Sequence, residues 1–574
     1  TTDFAAFSTF FNRIIMIKLY PIIIIIIITL LQHVFSAKST PPHPHIIHIL
    51  ADDYGWADIG YHRNNNNNNN QEVQTPNLDA LKNSGIELDR FYVYKICSPS
   101  RSSIQTGRNP IHVNVQNVPP EVTNSKDIIG GYQGIPTNMT GIAALLRKQN
   151  YKTHIVGKWD VGMATPYHHP KFRGYDTWLG YFHHSNDYWQ YTVEKCSSKP
   201  VYDLWKYNET FDGPATFYQN GPSCSQDNQK PKNNETCIYE EEILTNEVLN
   251  IIEKHDVSTS LFLFWSMHLV HMPLQVPQKY VDKFSFINNT YRRLNHAMGN
   301  LMDENVGKVI DLLKKRGIYD NALIVFHADN GGEIMGGGLC GGNNFPLKGG
   351  KFSNWEGGIR VNAFVTGGII PNEKVGTKIE HYITGWDWYA TYASIANIDP
   401  FDNMAANANL PGIDSINMWP LLSGKNNTSP RNEIIIGDTT SLYPNAGGKT
   451  LVGGIIINDY KLIIGAKSRL YNVNQNTITG ANWPNNTKPR LWPLTKLMKC
   501  KPDAKHGCLF NIKEDPYEMN NLAPSMPDLF NEMLKRIEEA QKTVYSPYRG
   551  KKDARACNIA KDKYENHWGV FDFL

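Results

Sequence analysis

Residues 46–56 read IIHILADDYGW. Ile46-Ile47-His48-Ile49-Leu50 is a short, nearly unbroken apolar run, and the acidic pair Asp52-Asp53 follows it. A run of this length bounded by turn residues reads as a buried strand. Three more segments share the pattern. Ala322-Leu323-Ile324-Val325-Phe326 precedes Asp329-Asn330-Gly331-Gly332. His154-Ile155-Val156 leads into Gly157-Lys158-Trp159-Asp160. Leu261-Phe262-Leu263-Phe264-Trp265 precedes His268 and His271. Amphipathic helical patterns lie between them, one over 141–149 and one over 297–316 that stops at Gly317. Alternating strands and helices predict an α/β fold, a mostly parallel sheet with helices on both faces. Ligands bind such sheets beyond the carboxyl ends of the strands. Four strand ends carrying Asp-Asp, Lys, His and Asp-Asn therefore predict one shared site.

Past Pro430 the character changes. Residues 455–464, IIINDYKLII, read as a hairpin turning at Asn458-Asp459, and 526–544 as one amphipathic helix with Phe530, Met533, Leu534 and Ile537 on a face. The expected organisation is upstream residues and a signal peptide over 1–37, a catalytic α/β domain over 38–435, and a smaller C-terminal α+β domain over 436–574. The tract Asn64 to Asn70 is a low-complexity loop.

The 574 residues carry a formal net charge of only +3 and no basic run, which argues against nucleic acid as a partner. Lys18, then Pro21 and the run IIIIIIITLL over 22–31, then Ser36-Ala37, fit a secretory signal peptide; no stable membrane span is expected in the mature chain. Secretory entry fits the Asn-x-Ser/Thr sequons at Asn138, Asn208, Asn234, Asn288, Asn426, Asn427 and Asn485. It also makes pairing of most of the eight cysteines the expectation: Cys500 with Cys508, and Cys196 with Cys224 or Cys237.

Asp52, Asp53, Asp329 and Asn330 are all oxygen donors of the kind hard divalent cations select. Arg101, Lys158, Lys351, His268 and His271 could balance their charge and hold an anion. The residues thus describe a metal-plus-cation pocket for an anionic substrate, without separating phosphate from sulfate.

Residues 97–108, CSPSRSSIQTGR, carry a resemblance that decides between them. Cys97-Ser98-Pro99-Ser100-Arg101 with Thr106-Gly107-Arg108 resembles the signature of the sulfatase family, in which the cysteine is oxidised to formylglycine during secretion. ADDYGW at 51–56, GKW at 157–159, HMPLQVP at 271–277, DNGG at 329–332, GGNNFPLKGGK at 341–351, WEGG at 355–358 and the C-terminal LFNI with Asp515-Pro516 look like the family's other blocks, in family order. Within the family the likeness is nearest to the arylsulfatase B, or N-acetylgalactosamine-4-sulfatase, branch. The resemblance implies an alkaline-phosphatase-like sheet and a sulfuric ester hydrolase acting on sulfated sugars or aryl sulfates. One Ca²⁺ would be held by Asp52, Asp53, Asp329, Asn330 and the formylglycine derived from Cys97. It further implies Lys158 and Lys351 on the sulfate oxygens, His271 protonating the leaving oxygen, and Arg101 holding the formylglycine hydrate. A formylglycine-generating enzyme would mature the chain, which would be secreted or lysosomal.

The chain departs from the family pattern at Asp160, where histidine usually follows Gly-Lys-Trp and serves as a base. Asp160 is expected to face residue 97 as proton acceptor, with His168 or His169 as the compensating alternative. A Gly-rich insertion at Gly336 to Leu339, with Cys340, is expected near the pocket mouth. Two other readings stand beside the sulfatase one. A phosphatase or phosphodiesterase of the same superfold would use Ser or Thr and usually two zinc ions. A catalytically impaired relative would only bind sulfated glycans.

Overall fold

The computed structural model describes residues 41–63, 72–196, 199–216, 238–334, 340–439, 450–464, 478–481, 489–491, 507–545 and 547–573. Residues 1–37, the Asn64 to Asn70 tract, Gly336 to Leu339, Cys224, Cys237, Cys500, Asn234 and Asn485 lie outside the described residues.

Ten strands form one sheet. In chain order they are β1 (His45–Ala51), β2 (Ile86–Leu88), β3 (Lys152–Lys158), β4 (Thr177–Tyr181), β5 (Trp205–Tyr207), β6 (Asp212–Pro214), β7 (Leu261–Ser266), β8 (Ala322–Ala328), β9 (Ala363–Thr366) and β10 (Thr377–Ile379). Across the sheet they lie β6-β5-β4-β3-β7-β1-β8-β9-β2-β10. The run β4-β3-β7-β1-β8 is parallel throughout, and antiparallel pairs occur only outside it. β1, β7 and β8 are buried along their whole length. That is why they read as unbroken apolar runs rather than alternating ones. Both faces are covered. On one, His48 bonds to Tyr392 at 2.8 Å, in the helix Asp387–Ile395. On the other, Phe326 packs edge-on to Tyr54.

The helices used below are α1 (Cys97–Thr106), α2 (Ile142–Leu146), α3 (Glu240–Lys254) and α4 (Thr290–Lys315). The expected 141–149 helix is α2 followed by a 3-10 turn over Arg147–Gln149. The expected 297–316 helix begins seven residues earlier, as α4. The Asn289 side chain accepts from the Arg292 backbone N–H at 3.0 Å and caps an orphan donor.

The C-terminal elements are β11 (Glu433–Thr439), β12 (Thr450–Ile457), β13 (Tyr460–Ile463), β14 (Cys508–Asn511) and α5 (Pro527–Gln541). These strands form an antiparallel sheet in sequential order. The hairpin turns where expected, with Ile457 opposite Tyr460 and Asn458 at φ 51°. α5 buries Phe530, Met533 and Ile537.

Lys461 of β13 ties this sheet to the large α/β body. Its ammonium, fully buried, lies 2.9 Å from Glu356 and 2.7 Å from Glu518. Burial pushes Glu518 up to about 7 even though Lys461 favours its ionised form. Removing one member of a buried ion pair leaves uncompensated charge and costs about 3–5 kcal/mol. Lys461→Met is expected to lower unfolding stability by that amount in urea titration. A change under about 1 kcal/mol would show that the network carries no net stability.

The cysteines correct one expectation. Cys196 pairs not with Cys224 or Cys237 but with Cys557, 361 residues away. Cys508 is in a disulfide, whereas Cys97 is free and buried. The bond to Cys557 forms because the chain after α5 returns to short strands flanking the large sheet. Lys551 and Lys552 pair with Thr123 and Val122, and Trp568 donates its backbone N–H to the Tyr202 carbonyl. Among the described residues no helix is long and apolar enough to cross a membrane.

Candidate active site

The four strands singled out from sequence are adjacent in the sheet, in the order β3-β7-β1-β8. All are parallel, so their carboxyl ends open on one edge. Asp52 and Asp53 follow β1, Lys158 ends β3, His268 and His271 follow β7, and Asp329 and Asn330 follow β8.

Cys97 is the first residue of α1, and Arg101 lies one turn later. The i, i+4 spacing puts both side chains on one face of the helix. All ten residues of α1 are buried although most are polar. Their hydroxyls are satisfied locally: Ser100 donates to Tyr94 O, Ser103 to Ser100 O and Thr106 to Ser102 O. Gly107 ends the helix at φ 66°, and a Cβ there would stand 2.6 Å from Tyr389. Arg108 is buried away from the carboxylates, donating to Pro411 O, Thr106 O and Asp402. The Thr-Gly-Arg part of the motif is thus a helix stop and an anchor.

The Asp52 carboxylate lies 3.7 Å from Cys97 Sγ, 2.8 Å from Lys158 Nζ and 3.3 Å from Arg101. Asp53, at φ 55°, accepts from Lys351 Nζ at 2.7 Å and from Asn330 Nδ2 at 2.7 Å. Asp329 accepts from Arg101 Nε at 2.9 Å. His271 Nε2 is 3.5 Å from Asp53 and 3.0 Å from Lys351 Nζ. The ligand atoms of Asp52, Asp53, Cys97 and His271 all fall within 4.8 Å of one another. The structure therefore gathers Asp52, Asp53, Cys97, Arg101, Lys158, His271, Asp329, Asn330 and Lys351 in one place.

The electrostatics follow from packing like charges out of water. Burial pushes Asp53 up to about 6, with Lys351 opposing and Glu333 and Asp329 reinforcing the rise. Burial and the neighbouring Asp52 likewise raise Asp329. Burial pushes the Cys97 thiol well above its usual value, so it is no thiolate nucleophile. Burial would lower Lys158, but Asp52, Cys97 and Asp160 together outweigh it and raise the ammonium to about 12. Burial, Lys351 and Lys158 together hold His271 neutral. Oxygen donors with raised carboxyl values fit a divalent cation, which relieves their mutual repulsion. Asn330 Oδ1 fits too, since it is buried with no hydrogen-bond partner among the described residues.

Asp160, at φ 54°, is fully buried. Its Oδ2 lies 3.8 Å from Lys158 Nζ, and its Oδ1 accepts from Ser98 Oγ at 2.7 Å. The structure brings neither His168 nor His169 to it. His168 bonds to Thr165 at 2.8 Å, and His169 stands 3.5 Å from Asp212 within an aromatic cluster. The imidazole at Asp160 is His184, with Nδ1 at 2.6 Å from Oδ1. Burial would raise Asp160, but His184, Lys158 and Arg101 hold it down to about 2.

His184 escaped sequence reasoning, although it stands three residues past β4, where the rule used for the other strands applies. Glu240 and Glu241, which open α3, escaped as well. Glu241 accepts the backbone N–H groups of His268 and Leu269, and Glu240 bonds His268 Nδ1 at 2.7 Å. His268 also stacks on Tyr188, which makes it a buried support for the His271 loop.

Comparison with known proteins agrees with this geometry. The family model described as Sulfatase matches residues 44–398. Arylsulfatase J of Mus musculus is 31% identical over 89% of this chain and 78% of its own length. N-acetylgalactosamine-6-sulfatase of Homo sapiens is 28% identical over 68% of each chain. Among solved structures, Ps i-CgsB in complex with k-i-k-neocarrahexaose superposes with a TM-score of 0.66 at 26% identity, covering 91% of this chain and 99% of that one.

Proposed function

The chain belongs to the sulfatase family, and on that premise we propose that it hydrolyses sulfate esters of sugars or aryl alcohols. In this reading residue 97 is carried as formylglycine and one Ca²⁺ is held by Asp52, Asp53, Asp329, Asn330 and residue 97. The supporting observation is Cys97 itself. It is buried, outside any disulfide, 3.7 Å from a carboxylate, and it begins a helix aimed into a cluster rich in carboxylates and cations. A sulfated sugar as substrate is supported by the carbohydrate bound to Ps i-CgsB.

The calcium would lower the pKa of the hydrated aldehyde's hydroxyl and screen charge on the sulfate oxygens. The chain's own residues do the rest. Lys158 and Lys351 present fixed ammonium donors to those oxygens in a site closed to bulk water. Arg101 spans Asp52 and Asp329, so it both orients residue 97 and compensates the carboxylates. His271 donates Nδ1–H to Met272 O at 2.6 Å, which leaves Nε2 as the working nitrogen. Lys351, 3.0 Å away, donates to that nitrogen. The proton for the departing alkoxide therefore comes through the Lys351–His271 pair. Maturation by a formylglycine-generating enzyme in the secretory pathway, with a secreted or lysosomal destination, completes the reading.

The test is mass spectrometry of the tryptic peptide ending at Arg101 from secreted protein, alongside turnover of defined sulfated sugars and an aryl sulfate. The aldehyde form and sulfate release are expected. A peptide carrying only the thiol, in protein that releases no sulfate, would end the sulfatase reading.

A further inference from the structure

We propose that His184, held by Asp160, is the imidazole that exchanges the proton of the hydroxyl on residue 97. This rests on the sulfatase reading and assigns a residue outside the family's motif.

The placement comes from the sheet. β3 and β4 are neighbouring parallel strands in which Lys158 registers with Tyr181. Asp160 lies two residues past the end of β3, and His184 three residues past the end of β4. The two loops leave the same sheet edge side by side. Asp160 adopts a left-handed backbone, a conformation that costs energy in most residues and that Asp tolerates. Its carboxylate meets His184 Nδ1 at 2.6 Å and Ser98 Oγ at 2.7 Å. Ser98, the residue after Cys97, also lies 3.3 Å from His184 Nδ1, and its hydroxyl stands 2.5 Å from Asn117 Oδ1. The pair is thereby tied to the first turn of α1, where residue 97 sits.

The loop bearing His184 is itself fixed. Asp203 accepts the backbone N–H groups of Phe182 and His183 at 2.9 and 2.8 Å, and the His183 ring bridges Asp203 and Glu121. His184 is one-quarter exposed, while Asp160 is buried. A buried carboxylate on Nδ1 sets the tautomer of an imidazole and leaves Nε2 free to move protons. Nε2 of His184 is covered and has no hydrogen-bond partner among the described residues. Asp160 then acts as the positioning carboxylate, and the imidazole comes from the next strand. In the step, the O–H bond of the free hydroxyl on residue 97 breaks and an N–H bond forms at Nε2, while the freed pair becomes the C=O bond of the aldehyde and the C–O bond to the ester sulfate breaks with its pair leaving on sulfate. The imidazolium returns the proton to water.

The experiment compares wild type, His184→Gln and Asp160→Asn, each expressed with the maturation partner and matched by thermal unfolding. For His184→Gln, kcat should fall ~100-fold or more with KM within ~3-fold, the scale of losing a general base. Residue-97 peptides from quenched turnover should carry a retained sulfate that wild type lacks. Asp160→Asn should reproduce both effects. Independently of turnover, imidazole ¹⁵N NMR of protein made without the maturation partner should show neutral His184 protonated on Nδ1, and Asp160→Asn should lose that preference. An active wild type with an equally active His184→Gln overturns the assignment, as does an Nε2-protonated His184. A crippled Asp160→Asn beside a normal His184→Gln would make Asp160 the base and likewise overturn it. A wild type that carries the aldehyde yet cleaves no sulfate ester overturns the sulfatase reading, and this proposal with it.

Discussion

Asp329→Asn is expected to lose bound calcium and turnover together, with kcat/KM down roughly a thousand-fold, the upper end of what one electrostatic group contributes in a closed site. Asparagine preserves the shape, so the effect comes from charge. Asp329 accepts from Arg101 through Oδ2 and from the Asp53 backbone N–H through Oδ1 at 3.3 Å. The amide keeps an oxygen for only one of these contacts and brings an NH₂ group against a donor. The five carboxylates Asp52, Asp53, Asp160, Asp329 and Glu333 face the three cations Arg101, Lys158 and Lys351. With one carboxylate removed, four remain against three, and the excess negative charge that attracts a divalent cation is halved. Metal analysis of purified protein and sulfate release are the two readouts. Full metal content with normal turnover in Asp329→Asn would remove Asp329 from the metal site. Two zinc ions in the wild type would favour the phosphatase reading.

Cys97→Ala should separate chemistry from metal binding. Turnover should fall to background, a loss of about a million-fold on the scale seen when a covalent nucleophile is deleted. Calcium should largely remain, because Asp52, Asp53, Asp329 and Asn330 are untouched. The fold should survive, since α1 is held by Ser100, Ser103, Thr106 and the Arg108–Asp402 pair rather than by the thiol. Substantial sulfate release by Cys97→Ala would show that another group attacks sulfur.

The strongest part of the fold could be read directly from the chain. Strands buried on both faces must be apolar throughout, so β1, β7 and β8 were visible as short runs, and the polar residues immediately beyond them were conspicuous. The C-terminal hairpin was equally plain, because Asn458 tolerates the left-handed turn. Helix starts were less plain. α4 begins at a cap, Asn289, that lies outside the apolar periodicity. The pairing of Cys196 was misjudged, because proximity in sequence does not predict which distant segment packs beside it.

The sequence by itself determined that acidic, basic and amide side chains stand at four strand ends, and it carried the family signature around Cys97. A strand's period and its bounding turns are local properties, and so is a motif. Only the tertiary structure decided that those four strands are neighbours and parallel, which turns separate loops into one site. It also decided the partner of Asp160. Four histidines follow within 25 residues, His168, His169, His183 and His184, and spacing along the chain favoured His168 and His169. The parallel register of β3 against β4 instead delivers His184, because adjacent parallel strands release their loops at the same edge.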